Sequence, residues 1–140
     1  MKPLRYLMML LLLLCMAAQA HAQRSGSRSA DELAEQMREA IMAVDGAELM
    51  RDADEVVEVD VFGELRYYSC GQASLLLETL LRREIPVTAH IMRKRRTPSA
   101  AYVEIRVNAG RENASDWMVR YAVRRGAWRI REVSLVRSDG

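Results

Sequence analysis

Between Val87 and Val136 apolar and polar residues alternate in four runs, VTAHIMR, AYVEIRVN, DWMVRYAVR and AWRIREVSLV. A period of two puts the apolar residues of each run on one side of an extended chain, the pattern of a half-buried β-strand. The breaks between runs are Thr97-Pro98, Ala109 to Ser115, and Arg125-Gly126. Chain returns this short join antiparallel neighbours, because a parallel return needs a crossover of a dozen residues or more. The C-terminal half is therefore predicted to be an antiparallel sheet with one wet and one apolar face.

The last hairpin can be taken to individual pairs. A two-residue turn at Arg125-Gly126 sets Val123 opposite Trp128, Tyr121 opposite Ile130, and Val119 opposite Glu132. Ala122 then faces Arg129, and Arg120 faces Arg131, on the other side of the ladder. A three-residue turn would mix the two faces. Trp128, Ile130, Tyr121 and Val123 are thus the predicted core residues, each large apolar side chain contributing about 1.5–3 kcal/mol on burial. Two opposed arginines repel unless an anion lies between them. Glu104, on the wet side of the preceding run, is the natural neutralising carboxylate, and an external anion is the alternative.

The segment ahead of the strands is helical in pattern. Ser29 and Glu32 form a capping-box signature before the apolar stripe Leu33, Met37, Ile41 and Val44, which Asp45-Gly46 ends. A short second helix is predicted over 47–53. VVEVDVFG, Val56 to Gly63, alternates as a strand. A second capping box, Ser69 with Gln72, opens a helix whose buried stripe is Leu76, Leu77, Leu80 and Leu81, and Arg82-Arg83 suit its C-terminal end. The fold class predicted is α+β, with N-terminal helices packed against a curved antiparallel sheet.

The first 22 residues have a different origin. Lys2 and Arg5 precede an apolar run from Leu7 to Ala18, followed by Ala18-Gln19-Ala20 and Ala20-His21-Ala22. This is the layout of a secretory signal peptide, and cleavage is expected near Ala20 or Ala22. The run is short for a membrane span, which takes about 20 apolar residues, and Leu14 before Cys15 does not suit a lipid-attachment signal. The expected organisation is a leader over 1–22, a polar tether over 23–29 and a single α+β domain over 30–138. The expected location is the periplasm or the extracellular space.

Cleavage after Ala22 leaves 118 residues with 19 basic and 19 acidic side chains. A chain without net charge lacks the field that gathers a nucleic-acid binder onto phosphate. The basic run in IMRKRRTPS, Ile91 to Ser99, accordingly reads as the solvated, pairing-resistant end of an edge strand. Charge is still divided: residues 31–64 hold 12 acids and 2 bases, and residues 65–140 hold 7 acids and 15 bases. The two halves attract each other within one fold. Cys70 is the only cysteine after cleavage, so no internal disulfide is available.

Several stretches resemble a known family. Gly63, YYSCGQASLLLETLL (Tyr67 to Leu81), His90 and the closing WMVRYAVRRGAWRIREVSL (Trp117 to Leu135) are similar to the domain of unknown function 4783 family of exported bacterial proteins, over about 41–136. Leu80 and Leu81 stand where that pattern has an aromatic pair, and Met92 where it has a glycine. The resemblance implies a nuclear-transport-factor-like or cystatin-like cone, a bent sheet wrapped about helices with a central cavity. It implies no chemistry, since the family has none established.

Cones of this kind can use an acid and a tyrosine for proton transfer, which makes His90, Glu104, Tyr68, Tyr102 and Tyr121 the residues to locate. His90 shares a strand face with Thr88 and Met92, away from Ala89 and Ile91, so alternation turns it out of the cone. Arg120 and Arg131 are the candidates for binding an anion, and Cys70, beside a helix N-terminus, for thiol reactivity. Neither a cofactor motif nor a metal-ligand spacing is present. The function expected is an exported, non-catalytic binding or interaction module, with an enzyme or carrier for a small apolar ligand as the alternative. A homodimer, an envelope-protein partner and a small apolar ligand all stay open as partners.

Overall fold

The structure is a computed structural model and describes residues 28–138. The expected leader over 1–22 and residues 23–27 of the expected tether over 23–29 lie outside the described residues. In chain order the elements are α1 (Ala30–Met42), α2 (Gly46–Leu49), β1 (Ala53–Val61), β2 (Glu64–Ser69), α3 (Cys70–Arg83), β3 (Thr88–Arg96), β4 (Ala100–Asn108), β5 (Ala114–Arg124) and β6 (Ala127–Arg137). The strands make one six-stranded sheet in the order β2-β1-β6-β5-β4-β3. Helices cover one of its faces, so the predicted α+β class and helix-on-sheet layering hold.

Both helix starts follow their caps. The Ser29 hydroxyl accepts from the Glu32 amide at 3.1 Å, and α1 buries Leu33, Met37 and Ile41 against β3 and β4. At α3 the Ser69 hydroxyl accepts from the Gln72 amide and the Gln72 side chain accepts from the Ser69 amide, which completes the box. Leu77 and Leu81 of that helix are fully buried, whereas Leu76 and Leu80 are only partly covered. The predicted second helix is shorter than the sequence implies. Asp45 caps it through Glu48, and it ends at Leu49, because Ala53 already pairs with Ile130 in the sheet.

Two features of the sheet differ from expectation. The first is β2, which the sequence hid because ELRYYS has no apolar alternation and is almost wholly exposed. Phe62 and Gly63, both at positive φ (54° and 94°), form the two-residue turn that folds β2 back onto β1 as an edge strand. The second is direction: β1 runs parallel to β6, while the other pairings are antiparallel. The long chain between β1 and β6 supplies the crossover that a parallel pair requires.

Trp128, Ile130 and Tyr121 are buried as predicted, together with Trp117, Val119, Val103 and Ile105 of the same face. Arg125 and Gly126 have φ of 51° and 75°, the signature of a tight two-residue turn, and Val123 faces Trp128. Beyond Tyr121 the predicted register fails. Arg131 is an extra residue in β6, so Arg120 faces Glu132 and Val119 faces Val133. The bulge removes the like-charge opposition of Arg120 and Arg131, and it turns Glu132 outward so that Val133 can enter the core. Arg28 and Ser29, the last two residues assigned to the tether, are tied to the fold. Arg28 donates to Gln36 and Asp52, and its carbonyl accepts from the Trp128 indole at 3.2 Å.

Candidate functional site

The outer face of the sheet, away from the helices, carries a cluster of charged side chains. Its focus is Arg131. That residue is out of register with β5, and it lies where β1 also loses register: Ala53 faces Ile130, but Glu58 is the next β1 residue in step, opposite Glu132. Two bulges at one point bend both neighbours away and open a groove of about 620 Å³. Asp54, Glu55 and Val56 of β1 and Tyr67 of β2 form one wall. Arg120, Arg124, Arg125, Arg129 and Arg131 of the last hairpin form the other.

Asp54 bridges the walls. Arg124 and Arg131 each donate to its Oδ2 at 2.5 Å, and the Glu55 amide donates to Oδ1 at 3.0 Å. The Arg124 guanidinium is the main reason that its carboxyl is pulled down to about 2, with Arg131 adding to it. Arg120 is held by Glu132 at 2.9 Å. Neither Arg125 nor Arg129 has an ion-pair partner among the described residues. Tyr67, 68% exposed, stands at the rim. Its phenol is pushed up, chiefly by the charge of Glu58 beside it.

A second cavity, of about 500 Å³, opens between the C-terminal end of α3 and the β1–β2 turn. Leu80, Leu81, Val107, Trp117 and Leu135 line its base. At its edge Arg137 donates twice to Glu84, at 3.1 Å each, and lies 4.1 Å over the Phe62 ring. The Trp117 indole donates to the Ser115 hydroxyl at 3.2 Å.

The residues singled out in the sequence are dispersed. His90 is exposed on the outer face of β3, across from Arg106, and lines neither cavity. Glu104 lies on the same face but pairs with Arg93 at 3.8 Å rather than neutralising Arg120 and Arg131; Glu132 and Asp54 do that instead. Tyr68 packs against the core. Tyr121 is 2% exposed, and burial raises its phenol far above the usual range. The Cys70 thiol donates to the Met50 carbonyl at 3.3 Å, a structural contact. Arg120 and Arg131 do share a site. Its other members, Asp54, Arg124, Arg125, Arg129 and Tyr67, carry no motif that marks them in the sequence as binding residues.

The basic run behaves as an edge. Arg93 pairs with Glu104, Lys94 with Asp31 at the start of α1, and Arg96 lies 5.4 Å over the Trp128 ring. Those contacts tie three of its four cations back into the fold.

No protein-family model and no curated protein matches the chain. Solved structures do. A DUF4783 family protein from Bacteroides uniformis superposes with a TM-score of 0.70 at 8% identity, over 76% of this chain and 97% of that one. A domain of unknown function with a cystatin-like fold from Nostoc punctiforme gives 0.60 at 11% identity, over 76% and 73%. An NTF-2 like protein of unknown function from Silicibacter pomeroyi gives 0.56 at 17%, over 74% and 88%. At these identities the likeness is one of fold. It is the cone fold, on the architecture of the family that the sequence resembles.

Proposed function

We propose that the protein is an exported, non-catalytic binding module whose working surface is the outer face of its sheet. The observation that carries this reading is the arginine-lined groove, which is open to solvent and of a size suited to small ligands, typically about 300–1,000 Å³. Acid–base catalysis needs a titratable group set in an enclosed pocket. His90 and Glu104, the acid–base candidates of the sequence, stand on the outer face instead. The Lys2/Arg5 leader with its Ala-x-Ala sites supports export. Among the described residues no helix is long and apolar enough to cross a membrane.

Export is tested by expressing the full chain in a bacterial host and reading the N-terminus of the protein recovered outside the cytoplasm. The expected first residue is His21 or Gln23. Uncleaved chain confined to the cytoplasm refutes the reading. A carrier of small apolar ligands is a second reading, favoured by the second cavity with Trp117 at its base. Quenching of Trp117 fluorescence by apolar compounds, absent from a Trp117→Phe variant, would favour it over the groove.

A further inference from the structure

We infer that the groove between Asp54 and the β5–β6 hairpin is a binding site for a small organic molecule carrying two or more oxyanion groups, a di- or tricarboxylate or its phosphorylated equivalent. The inference rests on the reading of the protein as a binding module.

Charge balance comes first. Five arginines face three carboxylates in the groove, Asp54, Glu55 and Glu58. Asp54 is committed to Arg124 and Arg131, and Arg120 is held by Glu132 from the adjoining strand. Arg125 and Arg129 have no acidic partner among the described residues, and neither Glu55 nor Glu58 has a basic one, so the lining keeps an excess of positive charge and all of that charge lies on the hairpin wall. Guanidinium groups present donors in a rigid fork that fits carboxylate and phosphate oxygens, and they cannot discharge by losing a proton.

Geometry comes second. Arg124 and Arg131 converge on one oxygen of Asp54, so the groove already assembles two guanidiniums about a carboxylate. Arg131 reaches that position only because it is the extra residue of a bulge, and bulges re-aim side chains at the cost of ladder pairing. Arg125 lies at positive φ in the turn and lines the groove at the hairpin tip. The opposite wall is different in character. Between the carboxylates of Glu55 and Glu58, Val56, 57% exposed, and Tyr67 offer an apolar and aromatic surface on which a carbon skeleton can rest. An organic anion uses both walls, whereas an inorganic ion uses one.

Asp54 is then an internal competitor for the site. It occupies two of the arginines that a ligand would use, so its removal frees donors rather than destroying the site. A purely structural arginine cluster behaves in the opposite way, since neutralising Asp54 would then only loosen the hairpin.

The test uses protein recovered from a host expressing the full chain, titrated calorimetrically with citrate at low ionic strength, with inorganic phosphate and chloride as comparison ions. One saturable citrate site is expected, with phosphate weaker and chloride without effect at matched ionic strength. The Arg125→Ala/Arg129→Ala double variant changes one exposed and one half-buried side chain outside the core, should keep its melting temperature, and should weaken citrate about tenfold or more, the scale of lost charge-assisted hydrogen bonds. Asp54→Asn should tighten it about two- to fivefold. Absence of saturation, chloride acting as well as citrate, or weaker binding in Asp54→Asn would each overturn the site. Binding only to vesicles containing phosphatidylglycerol, with none to soluble citrate, would overturn it in favour of a lipid surface. Citrate binding untouched in the double variant places the ligand elsewhere and leaves the module reading standing. Retention of uncleaved chain in the cytoplasm defeats that reading instead.

Discussion

Replacing Gly46 with alanine probes the closest approach between the helices. Gly46 opens α2, is buried, and has no positive φ, so its role is spatial rather than conformational. A Cβ there would sit far inside 3.0 Å of the Ser74 carbonyl oxygen and 2.8 Å from Glu78 Cβ, both on α3. Backbone cannot yield as a flexible side chain can, so α2 must move off α3. That movement also stretches the hydrogen bond from the Gly46 amide to Glu78, now 3.2 Å. Overpacking of this kind costs about 1–3 kcal/mol. For a domain near this size each kcal/mol lowers the melting temperature by about 4–5 °C, so a loss of about 5–15 °C is expected by circular dichroism. Gly71→Ala is the control, because nothing lies within 4 Å of its Cβ. In the first turn of a helix that change should be neutral or raise stability by up to about 1 kcal/mol. Gly46→Ala melting with the wild type, or Gly71→Ala falling as far, would refute the packing argument.

Two further outcomes concern stability. The folded-state carboxyl of Asp54 is depressed to about 2 from an ordinary 3.8, so its stabilisation is present above the higher value and is lost as pH falls from about 4 to 2. Because its arginine partners are largely solvent-exposed, about 1 kcal/mol is the reasonable magnitude; Asp54→Asn should therefore melt about 4 °C below wild type at pH 6 and coincide with it near pH 2, and a gap independent of pH would rule the ion pairs out as its source. Ser69→Ala removes one half of the α3 capping box and should cost about 1 kcal/mol in urea unfolding, with an unchanged slope; a loss below about 0.3 kcal/mol would mean that the cap is not formed in solution.

The cone was legible because its strongest signals are local. Period-two runs, two serine caps and a Gly126 turn each fix an element without reference to the rest of the chain. The edge strand β2 carried no such signal, since a strand exposed along almost all of its length has no alternation to read. The bulge at Arg131 did leave a trace. Apolar residues fall at 128 and 130 and then at 133 and 135, a change of phase that only an extra residue can produce. Arg120 and Arg131 could be placed near each other from the hairpin alone. Asp54 could not, because it arrives through the parallel β1–β6 pairing, and no spacing in the sequence announces that partner across 70 residues. The second bulge, in β1, is likewise a product of the pairing rather than of its own composition.

The decisive measurement is a citrate titration of isotope-labelled protein followed by nuclear magnetic resonance. Shifts confined to the backbone of 53–58, 67, 120 and 124–131, with the Trp117 and Trp128 indole signals unmoved, are expected if the wet side of the sheet is the binding face. Movement of the Trp117 indole and of Ser115 and Leu135, with the hairpin signals still, would put the ligand inside the cone and contradict the assignment.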